Sequence, residues 1–188
     1  MIKRLVLFCC ILLLPTIASS QEGNINSGEL WLGGQVGGLF ADHTHPGVTA
    51  GATVGYNFCM PYRQAWERYF GVAVDFSWNR FNQRYFPDVN INGDQFALSF
   101  LARLQYPLMG DERFTAGRLT PFLMFGPAIV WSQRDSGDST DIGVVAETGF
   151  EYFMIPKLSV GPSFRFRHVW LEAGRDQYTV LGRMAYHF

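Results

Sequence analysis

The chain has 188 residues and a formal net charge of −1, so no basic surplus points to nucleic acid. Aromatic residues make up 16% and charged residues also 16%, where roughly 25% charged is usual for a soluble domain. Past the first twenty residues no apolar stretch is long enough for a spanning helix, which excludes a helical membrane protein; apolar residues spread thinly through alternating segments suit a membrane barrel instead.

The chain opens on a targeting segment, residues 1–20. Lys3 and Arg4 form a positive head, residues 5–14 are apolar (LVLFCCILLL), and Ala18-Ser19-Ser20 supplies a small-residue cleavage site before Gln21. Cys9 and Cys10 lie inside the apolar run with Phe8 before them, which argues against lipoprotein processing. The expected mature domain is 21–188. Its single cysteine, Cys59, has no intrachain partner and reads as an inert thiol near a membrane interface.

Residues 21–28 form a short polar lead. Period-two alternation then marks the strands. In 29–40, Leu30, Leu32, Val36 and Phe40 share a face, with Gln35 and glycines between. In 48–58, Ala50, Ala52, Val54, Tyr56 and Phe58 alternate with Thr49, Gly51, Thr53, Gly55 and Asn57; small inward residues suit a narrow barrel. The stretch 69–78 turns Phe70, Val72, Val74, Phe76 and Trp78 outward and Asp75 and Ser77 inward; 95–106 turns Phe96, Leu98, Phe100, Leu104 and Tyr106 outward and Ser99, Arg103 and Gln105 inward. In 121–131 the phase is ambiguous, and Gly126 and Ala128 favour Leu123, Phe125, Ile129 and Trp131 outward. The stretch 141–152 places Glu147 and Glu151 inward, and 157–168 places Arg165 and Arg167 inward. In 177–188, Tyr178, Val180, Met184, Tyr186 and Phe188 form the greasy face, and Gln177, Arg183 and His187 the polar one.

Eight strands put both termini on one side, the periplasm. The connections 41–47, 79–94, 132–140 and 169–176 are then expected outside, and 59–68, 107–120 and 153–156 in the periplasm. Tyr56, Phe58, Tyr69, Trp78, Tyr106, Trp131, Tyr152, Trp170 and Tyr186 lie at strand ends, as interfacial girdles require. With the FGP at 125–127, the GFEY at 149–152 and the terminal Phe188, the chain resembles the small OmpA-like outer-membrane β-barrels. The resemblance covers nearly all of 21–188. It implies an all-β, eight-stranded antiparallel up-and-down barrel in the outer membrane of a Gram-negative cell. It also implies that Tyr186 and Phe188 form the mark read by the barrel-assembly machinery and periplasmic chaperones. Two long periplasmic connections depart from the family pattern. No peptidoglycan-binding domain follows the barrel, so cell-wall anchoring is expected to be absent.

Chemistry is sparse. Arg103, Arg165, Arg167 and Arg183 face Asp75, Glu147 and Glu151 in the lumen. A hairpin around Pro156 places Glu147 level with Ser163 and within reach of Arg165, and Arg183 at a similar height. Buried charges are costly unless paired, so an interior salt-bridge network that plugs the lumen is expected, with a gated pore as the alternative. Some small barrels are lipid A deacylases, whose late-strand motif has Ser two residues after His. Here His168 is followed by Trp170, with Glu172 beyond, and the nucleophile is missing. Residues 88–93 begin like a calcium loop, but Ser99 stands where the bidentate Glu belongs. His43 and His45 offer two imidazoles, too few for a closed metal site, and Asp135, Asp138 and Asp141 read as a solvated acidic loop. No cofactor, metal or catalytic residue is expected.

The functional expectation is a monomeric structural or interaction protein of the outer membrane, in contact with lipid and lipopolysaccharide. Arg80, Arg84, Tyr85 and Phe86 in the longest external loop are the binding candidates. The alternatives are a narrow porin-like channel for small solutes, a lipid-modifying hydrolase, and a soluble lipocalin-type barrel, against which the outward aromatics argue.

Overall fold

The computed structural model describes residues 29–41, 46–58, 70–86, 89–106, 108, 119–134, 138–170 and 175–188, with backbone only at 81–92, 134 and 175. The expected targeting segment, Cys59, His43, His45, Asp88, Asp135 and Glu172 lie outside the described residues. Eight strands follow one another: β1 Glu29–Ala41, β2 Gly47–Asn57, β3 Phe70–Phe86, β4 Val89–Gln105, β5 Leu119–Arg134, β6 Ser139–Ile155, β7 Leu158–Val169 and β8 Arg175–His187. Each pairs antiparallel with the next, and β8 closes on β1. Phe188 N–H donates to the Leu30 carbonyl at 2.9 Å, so the two ends of the sheet are tied at one rim, called here the terminal end. No described helix is long and apolar enough to cross a membrane.

The alternation explains why these segments are strands and why they close. Inward positions carry Gln35, Thr53, Asp75, Ser99, Arg103, Glu147, Arg165 and Arg183, all buried. Outward positions carry Val36, Val74, Phe100, Phe125, Phe150 and Val180, each exposed. This is the reverse of a soluble domain, and it meets a lipid surround on one side and polar contacts on the other. β5 takes the phase expected for it, with Leu123, Phe125, Ile129 and Trp131 outward and Phe122, Met124 and Val130 inward. The shortest strand, β2, has 11 residues. At about 3.3 Å per residue and a tilt of ~40° it stands about 28 Å tall, enough for the hydrocarbon layer. Tyr56, Phe58, Tyr106, Tyr152, Tyr186 and Phe188 ring the terminal end, while Trp78, Trp131, Trp170 and Tyr178 ring the far end.

Two expectations change. The stretch 79–94 is not a loop. β3 runs on to Phe86 and β4 begins at Val89, with paired residues from Arg80↔Asp94 out to Arg84↔Asn90 and a bulge between Arg84 and Phe86. β2 stops pairing with β3 at Arg80 and β5 stops pairing with β4 at Gly93. The hairpin therefore rises above its neighbours as a two-stranded ribbon, for which its Phe, Tyr, Val and Ile content is suited. Val89 to Gly93 being extended strand also removes the wrapped geometry that a calcium loop needs. The second change is the β6–β7 register. A turn at Pro156 and Lys157, preceded by a bulge between Phe153 and Ile155, shifts the pairing. Glu147 faces Arg165 directly, and Ser163 faces Gly149.

Small residues make room where the wall needs it. Pro127 has no amide to donate, and beside it Gly126 stands so close to the Phe100 carbonyl that a Cβ would collide with it. Gly55 lies opposite Trp31, whose indole lies where a Cβ on Gly55 would project. Gly55→Val is expected to cost about 1–3 kcal/mol by overpacking, read as a lower urea midpoint of the refolded barrel.

Candidate functional site: the charged lumen

The alternation that faces lipid outward sends the seven expected charged side chains, from five strands, into the lumen. Asp75 comes from β3, Arg103 from β4, Glu147 and Glu151 from β6, Arg165 and Arg167 from β7, and Arg183 from β8. All seven are buried.

The central layer is a quartet. Arg165 donates from Nε to Glu147 Oε2 at 2.7 Å, and from Nη1 and Nη2 to the two oxygens of Asp75 at 2.9 and 3.0 Å. Arg183 Nη1 donates to Glu147 Oε1 at 2.6 Å. Asp75 Oδ2 also accepts from Gln35 Nε2 at 2.6 Å and from the Thr53 hydroxyl at 2.8 Å. Gln35 in turn accepts from Arg165 Nη2 at 3.1 Å. Two guanidiniums thus meet two carboxylates, and most of the remaining lone pairs have donors, which is the condition under which buried ion pairs hold.

Toward the terminal end, Arg103 makes a bidentate pair with Glu151, at 3.1 and 2.6 Å, and donates from Nε to Gln105 at 3.0 Å. Trp31 and Phe122 fill the space between this pair and the quartet. The Arg103 guanidinium lies 4.8 Å from the Trp31 ring and 5.0 Å from Phe122, and Arg183 lies 5.7 and 4.8 Å from the same rings. Cations over two shared aromatic faces form a second seal across the lumen.

Below this, Ser159 Oγ lies 3.0 Å from His187 Nε2, and His187 Nδ1 lies 3.3 Å from Glu29 Oε2, which accepts from Asn57 Nδ2 at 3.1 Å. The order Ser, His, Glu is that of a nucleophile relay. Ser159 and His187 are each 1% exposed, however, and the Phe153 ring lies tilted against the imidazole with centroids 4.7 Å apart. Ser159 and His187 are thus closed to a substrate, and their contact satisfies the buried hydroxyl and Nε2. Toward the far end, Arg167 Nη2 donates to Ser77 Oγ at 2.8 Å, and Asn79, Gln95 and Ser132 form a hydrogen-bonded chain at 3.3 Å each.

All seven residues lie in the lumen: four form the quartet, two the pair, and Arg167 stands apart on Ser77. Sequence reading turned His187 to the polar face but did not single out Trp31, Phe122 or the grouping of His187 with Ser159 and Glu29. Strand parity alone would have found them: Trp31 shares the face of Gln35, and Phe122 that of Ala128. Among the external candidates, Arg80 is exposed at the base of the ribbon, and Arg84, Tyr85 and Phe86 lie along β3 near its tip. Tyr186 and Phe188 point outward at the terminal end, their rings edge to face at 5.0 Å. His168 pairs with Asp176 at 2.6 Å on the far rim, with Trp170 edge-on 5.7 Å away. No cluster among the described residues offers three metal-ligating side chains.

Solved structures of similar shape are outer-membrane barrels. Neisserial surface protein A aligns with a TM-score of 0.62 at 15% identity, covering 85% of this chain and 97% of its own. Ail of Yersinia pestis, in complex with the heparin analogue sucrose octasulfate, gives 0.57 at 14%, with 86% and 99% covered. OprG of Pseudomonas aeruginosa gives 0.57 at 12%, with 90% and 99% covered. At these identities the likeness is one of fold. By sequence, no curated protein matches the chain. The family described as outer membrane protein beta-barrel domain matches residues 6–188. With a closed eight-stranded wall, an apolar exterior and a charged interior, the chain belongs to that family of outer-membrane β-barrels.

Proposed function

We propose that this is a non-enzymatic structural and interaction protein of the outer membrane, with a lumen closed by side chains and a working surface on the β3–β4 ribbon and neighbouring loops. The observation that carries the reading is the stacked closure of the lumen. The quartet, the Trp31–Phe122 layer and the His187 group lie one above another, the quartet tied across the barrel by Arg165 and Asp75, with Trp31, Asp75, Glu147 and His187 no more than 1% exposed. Such an interior supplies rigidity and no substrate site. The missing serine after His168 and the sealed Ser159 both speak against a hydrolase.

In this reading residues 1–20 direct secretion through the inner membrane, and Tyr186 and Phe188 are read by the assembly machinery. The far end faces outside as a monomer among lipopolysaccharide. Arg80 and Arg84, beside Tyr85 and Phe86, suit phosphorylated or sulfated saccharides, since guanidinium forks match such oxyanions and aromatic faces lie against sugar rings. The polyanionic sugar bound to Ail is of this chemical class.

Truncating the ribbon tests the reading. Asn82 pairs with Asn92, so replacing residues 83–91 by Asn-Gly recloses the hairpin with a two-residue turn. The variant is expected to keep its heat-modifiable gel shift and to lose at least tenfold in binding to lipopolysaccharide-containing vesicles. Unchanged binding would remove the ribbon from the function.

A further inference from the structure

Among the described side chains, three of the four lumenal guanidiniums are matched by carboxylates: Arg103 by Glu151, and Arg165 and Arg183 by Asp75 and Glu147. Arg167 is left over. It is 3% exposed, and among the described residues no carboxylate lies within ion-pair distance of it. Its Nη2 donates to Ser77, but its Nε has no hydrogen-bond partner among the described residues. Arg165 stands two residues away on the same face of β7, so the nearest charge along the strand has the same sign.

A second observation falls at the same place. Gln177 faces Arg167 directly across the β7–β8 ladder. It is 1% exposed, and neither its Nε2 nor its Oε1 has a partner among the described residues. Of the flanking inward positions, Val145 on β6 and Val169 on β7 are apolar and buried, and Thr179 on β8 carries one buried hydroxyl. Low polarity makes an unmatched cation and an idle amide most unfavourable, and buried polar groups in native proteins are as a rule satisfied. Here two N–H donors and a surplus positive charge come from neighbouring positions on one wall.

We propose that Arg167 and Gln177 form a binding site for a small monovalent inorganic anion of halide size. The anion neutralises Arg167 and accepts from Arg167 Nε–H and a Gln177 Nε2–H. A narrow eight-stranded lumen filled by side chains rejects anything larger, such as a sugar phosphate. Val169 is the last residue of β7, so the site lies one inward position, about 7 Å along the strand, below the far rim and is reached from there. The inference stands independently of the ribbon's role.

The test uses bromide as the probe on the refolded protein. Crystals grown in sodium bromide are expected to show an anomalous peak beside Arg167 and Gln177. In detergent at raised temperature, the wild type is expected to unfold several-fold more slowly in sodium bromide than in sodium gluconate of equal ionic strength. Arg167→Gln should abolish that difference, whereas Lys157→Gln, in the exposed turn at the opposite end, should retain it. Should Arg167→Gln fail to refold, Gln177→Leu, which removes one donor and leaves the charge, is expected to shrink the bromide effect. Ordered water in place of bromide beside Arg167, or equal wild-type rates in the two salts, would overturn the proposal.

Discussion

Replacing Arg165 with methionine is expected to destabilise the refolded barrel by about 3–5 kcal/mol, the usual cost of removing one partner from a buried ion pair. The substitution keeps most of the side-chain volume, so the loss is one of charge and hydrogen bonds. Asp75 Oδ1 loses its donor at 2.9 Å, and Oδ2 keeps only Gln35 and Thr53. Glu147 keeps Arg183, but two carboxylates then share one cation in a layer closed to solvent. Equilibrium urea unfolding in detergent, followed by gel mobility, measures the change. The double variant Arg165→Met/Asp75→Asn is expected to recover part of the loss, because it removes the stranded charge together with its partner. A single variant within about 0.5 kcal/mol of wild type would show that water reaches the quartet and screens it, and the closed-lumen reading would fail with it.

How far this layer could be read in advance depends on which neighbours an argument needs. Parity along each strand sufficed to turn Asp75, Arg103, Glu147, Glu151, Arg165, Arg167 and Arg183 inward, because a period of two leaves one choice per strand once the greasy face is known. Glu147 with Arg165 joins adjacent strands and needed only the hairpin, although the bulge before Pro156 shifted the register. Arg165 with Asp75 is different in kind. Those residues are 90 apart in sequence, on walls four strands from each other, and they meet only because the closed barrel brings β3 and β7 face to face. Stagger around the closed sheet sets their relative height, and no local pattern encodes it.

The ribbon escaped for the opposite reason. Its Arg, Asn, Gln and Asp content resembles a loop, whereas its backbone is extended strand, as the β-formers Phe81, Tyr85, Phe86, Val89 and Ile91 favour. Trp31 and Phe122 escaped because aromatics in such a chain are expected in lipid. Both are lumenal because a narrow interior needs large side chains set against small ones, as Trp31 is against Gly55.

Trp31 is therefore where stability and closure can be separated. Trp31→Ala is expected to cost about 3–5 kcal/mol, since a fully buried indole is deleted from a wall that cannot collapse. It also removes the ring shared by the Arg103 and Arg183 guanidiniums, leaving those cations against Phe122 alone. The space vacated lies between a quartet and a pair whose members keep their own partners, so it fills with water flanked by fixed charges. Refolded wild-type protein in a planar bilayer is expected to be silent. Trp31→Ala, and more so Trp31→Ala/Phe122→Ala, is expected to give small discrete current steps. Currents in the variants alone would mean that the aromatic layer is the plug. Silence in all three would assign closure to the quartet, and Glu147→Gln would then be the substitution that opens it. Steps in the wild type that change with Glu147→Gln would instead favour the narrow-channel reading, with the quartet as a gate in place of a strut.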